Sequence, residues 1–343
     1  MDRTRWRRGI LGGRGSVTET LILRELLAAE PGWVSGGVLA SKLGVSRVSI
    51  WHHMEKLRSQ GFAFEALPAR GYRLSRRPRV LHAGLVEAQL RVRRKGFTFE
   101  VLDEVDSTND EAARLLAAGR AAPFAVFAQR QTRGRGRFGR AWHSEANGNL
   151  YSSFAFRPRI APERMQTFTL WMGVTICELV SKFVPMAPGI KWPNDIVFDG
   201  RKAGGMLTEA RVDADQIRDL VFGLGLNVNC PADGWPSDLG RRAVSLSELA
   251  GAPIDLNRLT AALVGRVLLA YERFADGEHV DPFVSLWNRY DVLRGRDVTL
   301  SVGGRRRRGR VLGVDDVGSL LLRSEHGHTR GFRAGEVTVE KGG

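Results

Sequence analysis

Residues 131–142 read QTRGRGRFGRAW, with Arg133, Arg135, Arg137 and Arg140 alternating with Gly134, Gly136 and Gly139. Glycine lets a backbone fold closely over a ligand. Guanidinium groups bind phosphate by paired hydrogen bonds. Composition alone fits a loop that closes on an anion and an RGG-like nucleic-acid segment equally well. Trp142 tips the balance toward the ligand loop, since an aromatic face there could stack on a base. The glycines have the spacing of a dinucleotide fingerprint, but a loop follows them where a helix is required. Pro158 and Arg159 stand where the ribose-binding acid belongs, which argues against a Rossmann site. No Gly-Lys-Ser/Thr triplet occurs, which excludes a Walker loop.

Three further runs carry compatible chemistry. Lys191-Trp192-Pro193-Asn194-Asp195 combines a cation, an amide and a carboxylate. Arg201-Lys202-Ala203-Gly204-Gly205 sets a cation before close-packing glycines, and Gly223-Leu224-Gly225-Leu226-Asn227 repeats small residues before an amide. Each alone is weak, because a strand glycine usually marks a bulge and a lone lysine is usually surface. Together they supply phosphate-binding cations, a carboxylate able to hold Mg²⁺ and room for a ligand.

The elements that must position these residues alternate strand and helix. Strands are expected over 97–101, 124–128, 150–156, 196–198, 206–208 and 220–228, with Asp199-Gly200 as a hairpin turn. Ser107-Thr108-Asn109-Asp110 opens a helix through Leu116, and 165–183 is a long apolar helix. Hairpins mixed with helices indicate an α+β sheet.

Upstream, Leu23, Leu26 and Leu27 mark one helix, 38–43 a second ended by Gly44, and Ser46 caps a third that runs to Gln60. In the third, Ile50, Met54 and Leu57 share a face. A hairpin over 62–74 follows, and helix-turn-helix plus hairpin reads as a winged helix. Arg47, Ser49, His52 and Lys56 are its candidate DNA contacts in the groove, with Arg70 and Arg73 on the wing. Charge supports this. Residues 1–79 carry 15 basic and 6 acidic side chains (+9), residues 80–292 balance to +1, and residues 293–343 carry +5. Segregated basicity points to a terminal module that meets a polyanion.

Short strands with Gly/Asp turns over 298–322 suggest a small barrel, with Arg305–Arg308 in a hairpin turn, where a solvated loop is the plainer reading. His326 and His328 alone do not make a metal site. The 43% apolar and 26% charged composition over 343 residues excludes a wholly disordered chain. No apolar run reaches the roughly 18 residues of a transmembrane helix, and the basic start lacks a signal peptide's apolar segment. Cys177 and Cys230 alone give no disulfide framework, so a cytoplasmic, reduced protein is expected.

The motifs at 106–109, 131–140, 191–195, 201–204 and 223–227 resemble, in order and separation, those of the bifunctional biotin–protein ligases that double as biotin operon repressors, the BirA type. The resemblance runs from about Val17 to Glu340. It implies an α+β multidomain chain: a basic disordered tail (1–16), a winged helix (17–75), a linker with a connecting helix (76–96), a mixed-sheet ligase domain of the biotin/lipoate type (97–291) and an SH3-like barrel (292–343).

It also implies a two-step reaction. Biotin and ATP give biotinyl-5′-AMP and pyrophosphate, and a lysine ε-amine of a biotin carboxyl carrier protein then displaces AMP. By the same resemblance Ser107, Thr108, Asn109, Gln131, Arg135, Gly136, Arg137, Lys202, Gly204, Gly223 and Gly225 surround biotin. Arg137 and Lys202 are catalytic. Arg140, Trp142, Lys191, Asn194, Asp195 and Asn227 serve ATP and Mg²⁺, with Asp195 on the metal. A homodimer formed with biotinyl-AMP bound, and operator DNA, complete the implied partners; no membrane is involved. A ligase whose winged helix no longer regulates, and a biotin sensor with an inactive ligase domain, are the alternatives.

Overall fold

In the computed structural model the described residues are 17–91, 95–146 and 148–340. The basic tail expected over 1–16 lies outside them. Helix α1 (Val17–Ala29) precedes α2 (Gly36–Leu43) and α3 (Arg47–Ser59). The Ser35 and Ser46 hydroxyls accept the Val38 and Ser49 N–H groups, capping α2 and α3. Gly44, at φ +65°, ends α2 in the left-handed region. Strands β1 (Ala63–Leu67) and β2 (Gly71–Arg76) form the wing. Leu23, Leu26, Ile50, Met54, Leu57 and Phe62 fill the small core between them.

Gly71 holds the wing against the helices. Its φ is +97°, and a Cβ there would lie 2.2 Å from the Val34 carbonyl oxygen. Gly71→Ala is therefore expected to cost this module about 2–3 kcal/mol, through strain and a backbone clash. Calorimetry would show a lowered unfolding transition, and an unchanged thermogram would contradict the packing described.

Helix α4 (Ala83–Gln89) is a joint between modules. Leu85 and Ala88 enter the winged-helix core, whereas Leu81 and Val86 enter the central one. The Asn257 side chain accepts the His82 N–H at 2.7 Å and donates to the Val80 carbonyl at 3.1 Å.

The central domain continues with β3 (Thr98–Val105), α5 (Thr108–Ala117), β4 (Phe124–Gln131), β5 (Leu150–Phe156), α6 (Arg164–Val180), β6 (Gly189–Lys191), β7 (Asp195–Phe198), β8 (Arg201–Asp213), β9 (Gln216–Leu226), α7 (Leu246–Ala250), α8 (Leu256–Ala275) and α9 (Val280–Tyr290). Its sheet has the order β3-β4-β5-β9-β8-β7-β6, and only β3–β4 is parallel. Strand β4 shows why helices cover both faces. Phe124 and Val126 pack with Ala112 and Leu116 of α5, while Ala125 and Phe127 join the larger core with Phe168 of α6. An unbroken apolar strand is what burial on both faces demands. Asp199 and Gly200 turn β7 into β8 with φ of +46° and +74°.

The C-terminal module is the SH3-like sheet of β10 (Asp297–Val302), β11 (Arg305–Val314), β12 (Leu320–Arg323), β13 (Thr329–Phe332) and β14 (Glu336–Val339), ordered β13-β12-β11-β10-β14. Gly303 and Gly304, both at positive φ, make the β10–β11 turn. Arg305–Arg308 therefore belong to a strand, not to the turn expected for them, because the two glycines take the tight positions. Gln166, Thr167 and Trp192 donate to the carbonyls of Val317 and Gly318, docking this module on α6. Its strand β14 thereby faces the central sheet's pocket. Among the described residues no helix is long and apolar enough to cross a membrane.

Candidate active site

A cavity of about 190 Å³ opens where α5, β4, the arginine–glycine loop, β5, β7, β8, β9 and residues 335–337 converge. Its first wall is the N-terminus of α5. The Ser107 hydroxyl accepts the Asp110 N–H, and Asp106 accepts the Ser107 N–H at 2.8 Å. The Arg114 guanidinium chelates Asp106 and holds its carboxyl down at about 2.

From that start the polar side chains form a chain. Gln131 Oε1 accepts the Thr108 N–H at 2.8 Å and its hydroxyl at 3.1 Å, and Gln131 Nε2 donates to Ser144 at 2.9 Å. The Ser153 hydroxyl lies 2.8 Å from Thr108 Oγ1 and 2.6 Å from Asn109 Oδ1. Asn109 Nδ2 donates to Glu209 at 2.6 Å. Thr108, Asn109 and Ser153 are buried, so this satisfied network fixes the orientation of every member.

Glycines make the opposing room. A Cβ on Gly223 would stand 2.3 Å from Asn109 Oδ1, and one on Gly225 would stand 2.5 Å from the Trp142 ring. Gly205 lies against both Trp142 and Lys202. The Lys202 ammonium sits 5.2 Å from the centre of the Trp142 ring and 2.6 Å from Asp195 Oδ1. Lys191 and Asn194 line the same wall. The Trp142 ring N–H is buried with no hydrogen-bond acceptor among the described residues.

Each arginine of the loop has a defined anchor. Arg133 pairs with Asp106, and Arg135 with Asp110 and Glu209. Arg137 donates to the Gly335 carbonyl at 3.3 Å and reaches Asn194 Oδ1 at 3.5 Å. Burial pulls the Arg137 guanidinium below the usual arginine range, opposed by the charges of Asp195 and Glu336. Arg140 pairs with Glu336 at 2.5 Å, which lowers that carboxyl. Two of the four anchors thus belong to β14 and the turn before it.

Ser107, Thr108, Asn109, Gln131, Arg135, Gly136, Arg137, Arg140, Trp142, Lys191, Asn194, Asp195, Lys202, Gly223 and Gly225 all line this pocket. Gly204 and Asn227 do not. Gly204 faces Leu226 and Ile196 on the other side of β8, and Gly205 is the residue on the pocket side. Asn227 is buried and spends both amide hydrogens on the carbonyls of Lys202 and Val244, so it is a strand-end clamp. Glu336, which lines the pocket, and Ser144, Ser153 and Glu209, which hold lining residues in place, were not anticipated. A pair of serines inside the otherwise apolar 150–156 strand was the readable signal for Ser153.

The expected DNA contacts separate similarly. Arg47 and His52 are exposed on α3, and Arg70 is exposed at the wing's turn. Lys56 turns back onto the buried Glu19 at 2.7 Å, Arg73 pairs with Glu65 and stacks over Trp33, and Ser49 is half-buried.

Residues 101–227 match the Biotin/lipoate A/B protein ligase family, and residues 18–73 match an HTH domain. The bifunctional ligase/repressor BirA of Bacillus spizizenii is 33% identical over 298 residues, spanning 86% of this chain and 90% of its own. BirA of Escherichia coli K12 is 30% identical over 312 residues, spanning 89% and 92%. The structure of a biotin protein ligase from Aquifex aeolicus in complex with biotin and ATP superposes with a TM-score of 0.61 at 28% identity, covering 71% of this chain and 99% of that one. With its pocket, its winged helix and relatives at this identity over most of its length, the chain belongs to the BirA family of bifunctional biotin–protein ligase/repressors.

Proposed function

We propose that this pocket activates biotin with ATP and passes it to a lysine of a biotin carboxyl carrier protein, and that the winged helix uses the liganded state to bind operator DNA. The observation that carries the first part is the convergence of a buried hydrogen-bonding floor with three cations, Lys191, Lys202 and Arg137, in one cavity. Biotin's ureido group offers two N–H donors and one carbonyl acceptor. Thr108, Asn109 and Gln131 line the cavity with both kinds of group, and Ser153 beneath them helps to fix their orientation.

In the first step a biotin carboxylate oxygen attacks the α-phosphorus of ATP, and pyrophosphate leaves. The repulsion between two anions is the principal barrier, and preplaced cations offset it. Lys202, beside Trp142 and Asp195, would meet the forming acyl phosphate, and Lys191 and Asn194, which line the same cavity, would contact the other phosphates. Trp142 offers a ring face to the nucleotide. In the second step the carrier lysine's neutral amine attacks the acyl carbon, the C–O bond to AMP breaks, and an amide forms. Mg²⁺ fits one part of the site: Asp195 with the nucleotide's own phosphates would hold it, as such sites commonly do with one or two carboxylates, and it would offset phosphate charge. A homodimer formed with the acyl adenylate bound would present two winged helices to one operator.

The loop has a further duty, to keep the labile mixed anhydride from water and from stray amines. Arg137, tied to the Gly335 carbonyl, closes it. Arg137→Gly is expected to release the adenylate and to label bovine serum albumin lysines as well as the carrier. Unchanged carrier specificity with normal retention of the intermediate would sink this role. The repressor part is tested by electrophoretic shift on the DNA upstream of the chain's own gene. Retardation only with biotin and ATP together is the expected result, and ligand-independent or absent retardation argues against it.

A further inference from the structure

The face of α3 that a helix-turn-helix lays into the major groove is not the cationic one. Residues 48, 51, 52 and 55 share it by helical spacing, opposite the buried stripe of Ile50, Met54 and Leu57. Val48 is 65% exposed and Trp51 50% exposed, on a module whose other large apolar side chains are mostly buried. His52 packs edge-on against Trp51, with ring centres 5.0 Å apart. The stripe's acid, Glu55, is neutralised by Arg58, and Lys56 is turned away to Glu19. What remains to meet base edges is an aliphatic, an indole and an imidazole.

In the major groove only thymine presents a methyl group, and apolar side chains recognise it by contact. Basic residues frame the stripe on both sides: Arg47 in the first turn of α3 and Arg70 at the wing's turn, both exposed. A second copy of this cationic module would be repelled by that frame, whereas DNA phosphates would be drawn to it. We infer that Val48 and Trp51 are the specificity-determining side chains of the winged helix, and that they read thymine 5-methyl groups in the major groove of the operator. This rests on the DNA-binding reading given above. His52 supplies a hydrogen bond to a neighbouring purine edge, and Arg47 and Arg70 set the register on the backbone.

The experiment uses the full chain with biotin and ATP to select duplexes from a random-sequence library. Single thymidines of the enriched duplex are then replaced by deoxyuridine, which removes only the methyl group. Affinity should fall about fourfold to tenfold at one or two positions of each half-site, as expected for one or two buried methyl contacts. In Trp51→Ala at least one of those replacements should cost nothing further, since its contact is already gone. Retained biotin-dependent pyrophosphate release and an unchanged melting temperature would show that Trp51→Ala is folded. An enriched duplex indifferent to deoxyuridine at every position would overturn the proposal while leaving DNA binding intact. So would a Trp51→Ala variant still as sensitive at every one of those positions. A Trp51→Ala variant that loses dimerisation but keeps its thymine preference would assign this face to a second copy instead. Enrichment of no duplex would remove the DNA-binding reading and the proposal with it.

Discussion

Lys202→Ala is expected to slow biotin-dependent pyrophosphate release by about 10²- to 10³-fold, the usual effect of removing one preplaced group that meets charge developing in the transition state. Lys202 is the cation that lies against both the Trp142 ring and Asp195, at the junction of the polar floor and the phosphate wall. Its loss removes one positive charge from beside the reacting anions, which raises the barrier. The fold should survive, because the Lys202 backbone is held by Arg242 and Val244 and its side chain is 37% exposed. The loss should appear in kcat more than in biotin affinity, because the charge is needed most as the new bond forms. Near-normal pyrophosphate release in Lys202→Ala would remove the residue from the chemistry.

Gly223→Val is expected to weaken biotin binding by on the order of 100-fold, as the combined loss of two or three oriented hydrogen bonds. Gly223 pairs with Ser153 across β5 and β9, directly beneath Asn109. A side chain there cannot coexist with the Asn109 amide, which holds Ser153 on one side and Glu209 on the other. Displacing Asn109 would disorder the floor while leaving the cations untouched. Calorimetric titration with biotin in the absence of nucleotide isolates that effect. Gly265→Ala serves as the control, since a Cβ on this α8 glycine meets nothing. Equal affinity in Gly223→Val and the parent chain would show that this floor is not the biotin-binding surface.

The chemistry of the site was legible where residue type alone restricts the possibilities. An arginine–glycine loop ending in Trp142, a Lys191–Asp195 run and a lysine before paired glycines are each weak alone; together they suggest an anionic ligand, and the fold places them around one cavity. Strand phase was less legible. Gly204 and Gly205 are chemically identical, and which one faces the pocket is decided by pairing: Gly205 stands opposite Gly225, while Gly204 stands opposite Leu226. Asn227 failed for a related reason. It follows the last residue of β9, where the chain turns inward and two carbonyls claim the amide.

Long-range partners were the hardest to foresee. Lys56 falls off the core face of α3 by periodicity, yet a buried carboxylate from α1, Glu19, captures it. Glu336 lies about two hundred residues from Arg140, and only the docking of β14 brings them together. The winged helix was readable because caps, turn glycines and apolar period agree within a short segment. Arg305–Arg308 misled because charge suggested a loop, whereas the adjacent Gly303-Gly304 pair already satisfied the turn.

The most direct test of the account is to incubate the purified full chain with ATP and Mg²⁺ and to follow pyrophosphate with and without biotin, before any carrier protein is added. Release is expected only when biotin is present, near one equivalent per chain, with the adenylate retained until a carrier lysine consumes it. Release independent of biotin, or none with biotin and ATP both saturating, would contradict the assignment of this pocket to biotin activation.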